Sequence, residues 1–196
     1  DFSHSESIKN ALRGCTVLVH CIGVTNGPEK YLKEVNVNLT RRVANALPES
    51  ISRVLYISSA AAAMEKGFYG KAKLEAESLL LSTKREVTVL RPTLIYGPGD
   101  TKNLQMMIDL VKKYPIVPVL GGGNFMVQPV HVEDVAAAAI VAITSRKTNE
   151  IYNKEIQSIS YTVLKIFKGS NKTYKLSASN LRRRDREIGL KPFLSI

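Results

Sequence analysis

The chain has 196 residues, with 28 Lys plus Arg against 17 Asp plus Glu and a formal net charge of +11. At 44% hydrophobic and 23% charged it has globular composition, which excludes a mainly disordered chain. No apolar run reaches the ~18–20 residues that span a bilayer, and Asp1-Phe2-Ser3-His4-Ser5 shows no basic region followed by an apolar run, so no transmembrane segment or signal peptide is predicted.

Thr16 to Gly23 is rich in β-branched residues and ends in glycine, which predicts a buried strand. Pro28 to about Leu47 predicts a helix with Tyr31, Val35, Leu39 and Val43 on one face, closed by Pro48. Arg53 to Ile57 is the next strand, ending at Ser58-Ser59. Tyr69 to about Leu81 is a helix rich in Ala, Leu, Glu and Lys. Val87 to Pro92 is a third strand, and Asn103 to about Lys113 a helix. Ile116 to Leu120 reads as a short strand leading into Gly121-Gly122-Gly123, and Glu133 to about Thr144 as an Ala-rich helix. Beyond Glu150 the pattern weakens. Gly169 to Lys172 reads as a turn and Ala178 to Leu190 as a basic helix.

This alternation, with strands apolar along their length, predicts an α/β fold: a doubly wound parallel sheet with helices on both faces. The expected division is a dinucleotide-type domain over 1–153 and a small C-terminal substrate region over 154–196. Ligands of such sheets sit beyond the carboxyl ends of the strands. The polar residues there are Gly23 to Asn26, Ser58-Ser59, and Thr93 to Asp100.

Cys15 and Cys21 form no disulfide framework, and His4, His20 and His131 have no zinc spacing, so no metal is expected. A reducing, cytoplasmic-type compartment fits, an organelle matrix included. The charge favours anionic partners, but Arg182-Arg183-Arg184 lacks interleaved aromatics and reads as a solvated helix face, not a nucleic-acid patch.

The chemistry gathers after the second strand. Tyr69 and Lys73 are four apart and share a helix face. An ammonium beside a phenol lowers its pKa, and a phenol so tuned exchanges protons with a substrate hydroxyl or carbonyl. Ser59, at a strand tip, can hydrogen-bond the same oxygen. That combination suits proton transfer coupled to hydride transfer.

In this order the segments resemble the extended or atypical short-chain dehydrogenase/reductase superfamily, in its epimerase/dehydratase-like branch. Val17 to Gly23 resembles the strand that ends beside the cofactor, and Val35-Asn36-Val37-Asn38-Leu39-Thr40 the helix carrying the active-site Asn, with Asn36 in that place. Ser59, Tyr69 and Lys73 match the family's Ser, Tyr and Lys. Arg91-Pro92-Thr93-Leu94-Ile95-Tyr96-Gly97-Pro98-Gly99-Asp100 resembles the loop bordering the nicotinamide, and Val130 to Ala136 the segment opening a later helix. The resemblance implies NAD or NADP as cofactor, contacted by Asp1, Phe2, Cys21, Ile22, Gly23, Tyr69, Lys73, Pro92 and Leu94. It implies a small-molecule substrate and pairing into a homodimer or larger assembly.

The chain also departs from the pattern. The Gly-rich pyrophosphate turn that opens the family has no counterpart, and Gly121-Gly122-Gly123 comes too late in the order. The expectation is a Rossmann-like sheet lacking its first βα units, with one edge uncovered. Phe125 to Val130 carries no Arg to hold a sugar nucleotide, and Gln128 to Val132 is similar to atypical members such as the short-chain-dehydrogenase-like accessory subunit of respiratory complex I. Two readings follow: an NAD(P)-dependent oxidoreductase or epimerase/dehydratase-like enzyme, and a non-catalytic dinucleotide-binding scaffold or assembly subunit. Outside this chemistry, Ser58 is expected to serve the backbone and His131 to be structural. Asp134 is expected to cap its helix or sit in the first turn, Cys21 to pack as a small hydrophobe, and Met106 and Met107 to line core or pocket.

Overall fold

A computed structural model describes residues 5–65, 67–101, 104–114, 126–144, 151–152 and 161–162. The chain divides into two compact units, Asp1–Thr93 with Val135–Glu155, and Leu94–Asp134 with Ile156–Ile196. The expected boundary at 153/154 lies outside the described residues.

The first unit holds a four-stranded, all-parallel sheet in the order β1 (Val17–His20), β2 (Arg53–Ile57), β3 (Glu86–Leu90) and β7 (Ile151–Tyr152). Parallel neighbours need long crossovers, which here are helical. Between β1 and β2 run α2 (Glu29–Lys33), a π turn (Glu34–Asn38) and α3 (Leu39–Asn45). Between β2 and β3 run α4 (Ala60–Met64) and α5 (Gly67–Leu81). On one sheet face Val54, Tyr56, Val87 and Val89 pack with Ala76 and Leu80 of α5. On the other, Leu55 and Leu90 pack with Ala138, Ala139, Ala142 and Ile143 of α7 (Val132–Thr144). Ile8 of α1 (Ser5–Ala11) packs on Val43 and Ala46, with Leu18 alongside. The alternating sides confirm the doubly wound reading.

The second unit holds β4 (Leu94–Tyr96) parallel to β6 (Pro129–His131), and β5 (Met126–Val127) antiparallel to β8 (Tyr161–Thr162). Helix α6 (Leu104–Lys113) follows β4. Gly97 and Gly99 have φ of +131° and +89°, so the segment after β4 is a turn that requires glycine.

Several expectations need correction. The strand near residue 16 is shorter than predicted, and among the described residues it pairs on one side only, with β2: Val17 and Val19 are exposed. The helix over 28–47 is interrupted by the π turn, and its inward stripe is Leu32, Asn36, Val37, Thr40 and Val43, while Tyr31 is exposed. A π turn takes more than 3.6 residues, so a strict α-helical stripe drawn through it drifts off the buried face. Met106 is exposed, not core, because α6 turns that side outward. The side chain of Met107, the predicted strand over 116–120 and the predicted turn and helix beyond 163 lie outside the described residues. His131 is buried edge-on to Tyr96, as a structural histidine, and Asp134 sits in the first turn of α7. Among the described residues no helix is long and apolar enough to cross a membrane.

Helix α4, unforeseen in the sequence, lies across the start of α5. A Cβ added to Gly70 would sit 2.5 Å from the Ala61 carbonyl oxygen. Replacing a helix glycine by alanine ordinarily stabilises by about 0.5–1 kcal/mol. Here the collision is with backbone and reverses the sign, so Gly70→Ala is expected to cost about 1–3 kcal/mol. Urea unfolding checks this, and a raised midpoint would show that α4 does not press on α5.

Candidate functional site

The candidate residues sit at the carboxyl ends of β1 and β2 and on the helix after β2. Ser59, two residues past β2, is extended, and its hydroxyl accepts the Ala61 amide at 3.2 Å as the N-cap of α4. The same hydroxyl is near enough to the Tyr69 phenol to favour its ionised form. The short α4 therefore does local work: it brings the chain back so that the first turns of α5 face the strand tip it left.

Lys73, one turn beyond Tyr69, is buried. Its ammonium donates to the Ile57 carbonyl at 2.9 Å and stands 4.2 Å from the centre of the Tyr56 ring. Burial lowers its pKa to about 8, opposed by Glu77 and then Cys21. Burial pushes the Tyr69 phenol up, with the Ser59 hydroxyl opposing, and the Lys73 ammonium donates to the Ile57 carbonyl.

Asn36 is fully buried within the π turn. Its Nδ2 donates to the Val24 and Leu32 carbonyls, both at 2.9 Å, and its Oδ1 accepts the Val24 amide at 3.2 Å. Both amide protons are thus engaged with backbone, and the side chain clamps the segment that follows β1. Leu32 lies four residues earlier, so the side chain takes the carbonyl that a regular α-helical amide at 36 would fill. Thr40 donates to the Asn36 carbonyl at 2.8 Å, which leaves its oxygen to accept from His20 Nε2 at 2.9 Å. That assigns the Nε2–H tautomer to His20, which stacks on Tyr56 with ring centres 5.3 Å apart.

Gly23 completes the arrangement. A Cβ there would lie 2.8 Å from Asn36 Oδ1 and 3.5 Å from Lys73 Nζ, so the end of β1 is kept bare where the amide and the ammonium converge. Cys21 follows β1 and is exposed as a residue, not packed as expected; partial desolvation pushes its thiol up against the opposing pull of Lys73. Ile22 is half-buried. Pro92 is buried and its carbonyl accepts the Ala60 amide at 2.9 Å, which ties the end of β3 to α4. Leu94 belongs to the second unit, and Asp1 and Phe2 lie outside the described residues. A surface hollow lined by Arg41, Asn45, Leu47, Leu79, Thr83 and Arg85 contains none of these residues. Among the described residues no cluster of His, Cys, Asp or Glu could hold a metal.

Two partners were missed in the sequence. Glu77 and Arg91 form a buried ion pair behind Lys73, and Ser58 donates its hydroxyl to Glu77. The Ser58 hydroxyl is thus spent on this carboxylate and not on the backbone as expected, while its main-chain amide donates to Leu90 O at 2.7 Å. The available signal was the stripe Tyr69, Lys73, Glu77 at intervals of four.

Residues 1–153 match the family described as NAD dependent epimerase/dehydratase. The chain belongs to that family. It is 30% identical over 142 residues to NADH dehydrogenase [ubiquinone] 1 alpha subcomplex subunit 9, mitochondrial, of Arabidopsis thaliana, across 70% of this chain and 35% of that protein. It is 26% identical over 172 residues to the ceramide reductase of Caulobacter vibrioides, across 87% of this chain and 54% of that protein. The chain thus spans about a third and about half of the lengths of these relatives. Among solved structures, the dTDP-glucose 4,6-dehydratase DesIV of Streptomyces venezuelae with NAD bound matches with a TM-score of 0.74. That match has 17% identity and covers 86% of this chain and 60% of that one, and it shows the same Rossmann-type fold.

A buried neutral His20 makes the site acid-sensitive. Burial, with Lys73 adding to it, lowers the His20 pKa to about 4 from an ordinary 6.5. Between those values the unfolded chain binds more protons, so stability is expected to fall as pH drops from about 6.5 to 4, by up to about 3 kcal/mol. Urea unfolding of His20→Gln beside the unsubstituted protein checks this. The difference between the two should change across that window, and a constant difference would overturn the assignment.

Proposed function

We propose that this chain carries the proton-transfer site of an NAD(P)-dependent oxidoreductase or epimerase/dehydratase-like enzyme. The observation that carries the reading is the placement of Ser59 just past the tip of β2, with Tyr69 in the first turn of α5 and the buried Lys73 ammonium one turn further, donating to the Ile57 carbonyl. The residues present suit a dinucleotide. The β1 end is bare at Gly23, which a Cβ would fill against Asn36 and Lys73, and Lys73 is a donor beside it. As the family resemblance implies, Cys21, Ile22, Gly23 and Pro92 would line the cofactor, and Tyr69 and Lys73 would hold the nicotinamide ribose. When bound, the nicotinamide accepts or returns hydride.

The chain's own groups handle the proton. A phenol held above its ordinary pKa stays protonated at neutral pH, which suits Tyr69 to donate to a carbonyl oxygen as that oxygen gains charge. Ser59 would hold the same oxygen, and Lys73 would offset the charge left on Tyr69. Asn36, with its amide protons engaged by backbone, acts by positioning the turn after β1. The substrate would be a small carbonyl or alcohol, since Phe125 to Val130 offers no Arg for a sugar nucleotide.

A second reading is a non-catalytic dinucleotide-binding scaffold or assembly subunit. It is favoured by the similarity to the Arabidopsis NADH dehydrogenase subunit.

Calorimetric titration with NADH and with NADPH, followed by a panel of carbonyls and alcohols, separates the two. For the enzyme, Tyr69→Phe is expected to lower turnover by about 10²–10⁴-fold with dinucleotide affinity unchanged. Turnover that survives Tyr69→Phe would remove Tyr69 from the chemistry. Saturable binding without turnover of any panel member would favour the scaffold.

A further inference from the structure

Behind Lys73 lies a buried polar cluster that the proton-transfer reading leaves unused. Glu77 is one turn further along α5 and only 1% exposed. Arg91, which follows β3, grips its carboxylate with two donors: Nε to Oε1 at 2.9 Å and Nη2 to Oε2 at 2.5 Å. Ser58, at the tip of β2, donates to the same Oε1. Three elements therefore meet on one carboxylate. Its energetics call for an explanation, because a buried ion pair adds little net stability over apolar residues of the same volume.

Glu77 follows Lys73 by four residues on the same helix, and its charge acts on that buried ammonium. The other titratable or charged groups around that ammonium are Tyr69 on the same helix, Cys21 and His20 at the end of β1, Tyr56 on β2, and Arg91 behind Glu77. Burial pushes the Tyr56 and Tyr69 phenols and the Cys21 thiol upward, and leaves His20 uncharged at neutral pH. Within this set Glu77 supplies the negative charge. We propose that Glu77 is a positioning residue for the Ser59–Tyr69–Lys73 site: fixed by Arg91 and Ser58, its carboxylate keeps the buried Lys73 side chain cationic and seated against Ile57 and Tyr56. Burial is the largest influence on Lys73 and acts to discharge it, and Glu77 is the largest influence opposing that. The inference rests on Lys73 belonging to the proposed site, but its test needs no turnover.

The test is an NMR pH titration of the intact protein carrying ¹³Cε-labelled lysine, with the Lys73 signal assigned by its loss in Lys73→Met. Lys73 is expected to titrate near pH 8 in the unsubstituted protein. In Glu77→Gln it should bind its proton at least about tenfold more weakly. That variant takes the carboxylate from Arg91 and can fail to fold, so Glu77→Gln/Arg91→Met, which removes both charges, carries the same expectation. Glu77→Asp, which keeps the carboxylate, should restore most of the affinity. An unmoved Lys73 titration in either folded Gln variant overturns the proposal. So does a drop in Glu77→Gln that the double variant reverses, since the Arg91 charge would then be its cause. Loss of the expected Tyr69→Phe effect with this titration intact would instead count against the enzymatic reading alone.

Discussion

The arrangement depends on one buried ammonium. An isolated charge of that kind is costly to remove from water, and the usual outcome is a lowered pKa unless partners surround it. Lys73 has three: the Ile57 carbonyl, the face of the Tyr56 ring, and the Glu77 carboxylate along the same helix. Two of these come from consecutive residues of β2 and the third from α5 itself, so the charge ties the end of β2 to α5. Arg91 and Ser58, by holding Glu77, extend the tie to β3 and to the residue beside Ser59. The partial discharge that burial still imposes leaves Lys73 well below an ordinary lysine.

The end of β1 is organised by a second constraint. The π turn at Glu34–Asn38 admits a wider turn than an α-helix, and the Asn36 side chain occupies the Leu32 carbonyl while clamping Val24. The Thr40 hydroxyl takes the Asn36 carbonyl and passes the chain of bonds to His20, whose ring stacks on Tyr56. The amide at the end of β1 and the ammonium on α5 are thus parts of one buried network with Tyr56 between them. Gly23 sits where that network reaches the surface, and its missing side chain is what leaves room there.

Much of the fold was legible because its signals are local. Arg53–Ile57 is a strand because an unbroken apolar run buried on both faces can be little else, and the limits of α5 and α7 follow from Ala- and Leu-rich composition. Ser59 and the Tyr69–Lys73 pair were legible from spacing. The failures share a different origin. The stripe through Tyr31 and Val35 assumed 3.6 residues per turn and met a π turn. Cys21 and the outer valines of β1 were placed in a core because an apolar strand does not announce on how many sides it is paired. Glu77 and Arg91 were overlooked because charged residues on a helix and after a strand are ordinarily solvated.

The sequence by itself determined the parallel α/β architecture, the order of its strands and helices, and the strand tip and helix face on which Ser59, Tyr69 and Lys73 stand. These follow from hydrophobic period, helix propensity and residue spacing, all of which act within a few turns of chain. Only the tertiary structure decided which of these groups carries charge and which is engaged elsewhere. Burial raises the Tyr69 phenol, Lys73 turns to the Ile57 carbonyl, the Asn36 amide goes to backbone, and the pairing of Glu77 with Arg91 spans 14 residues of sequence. Charge state depends on distance and desolvation in space, and those quantities exist only once the sheet and its helices have packed.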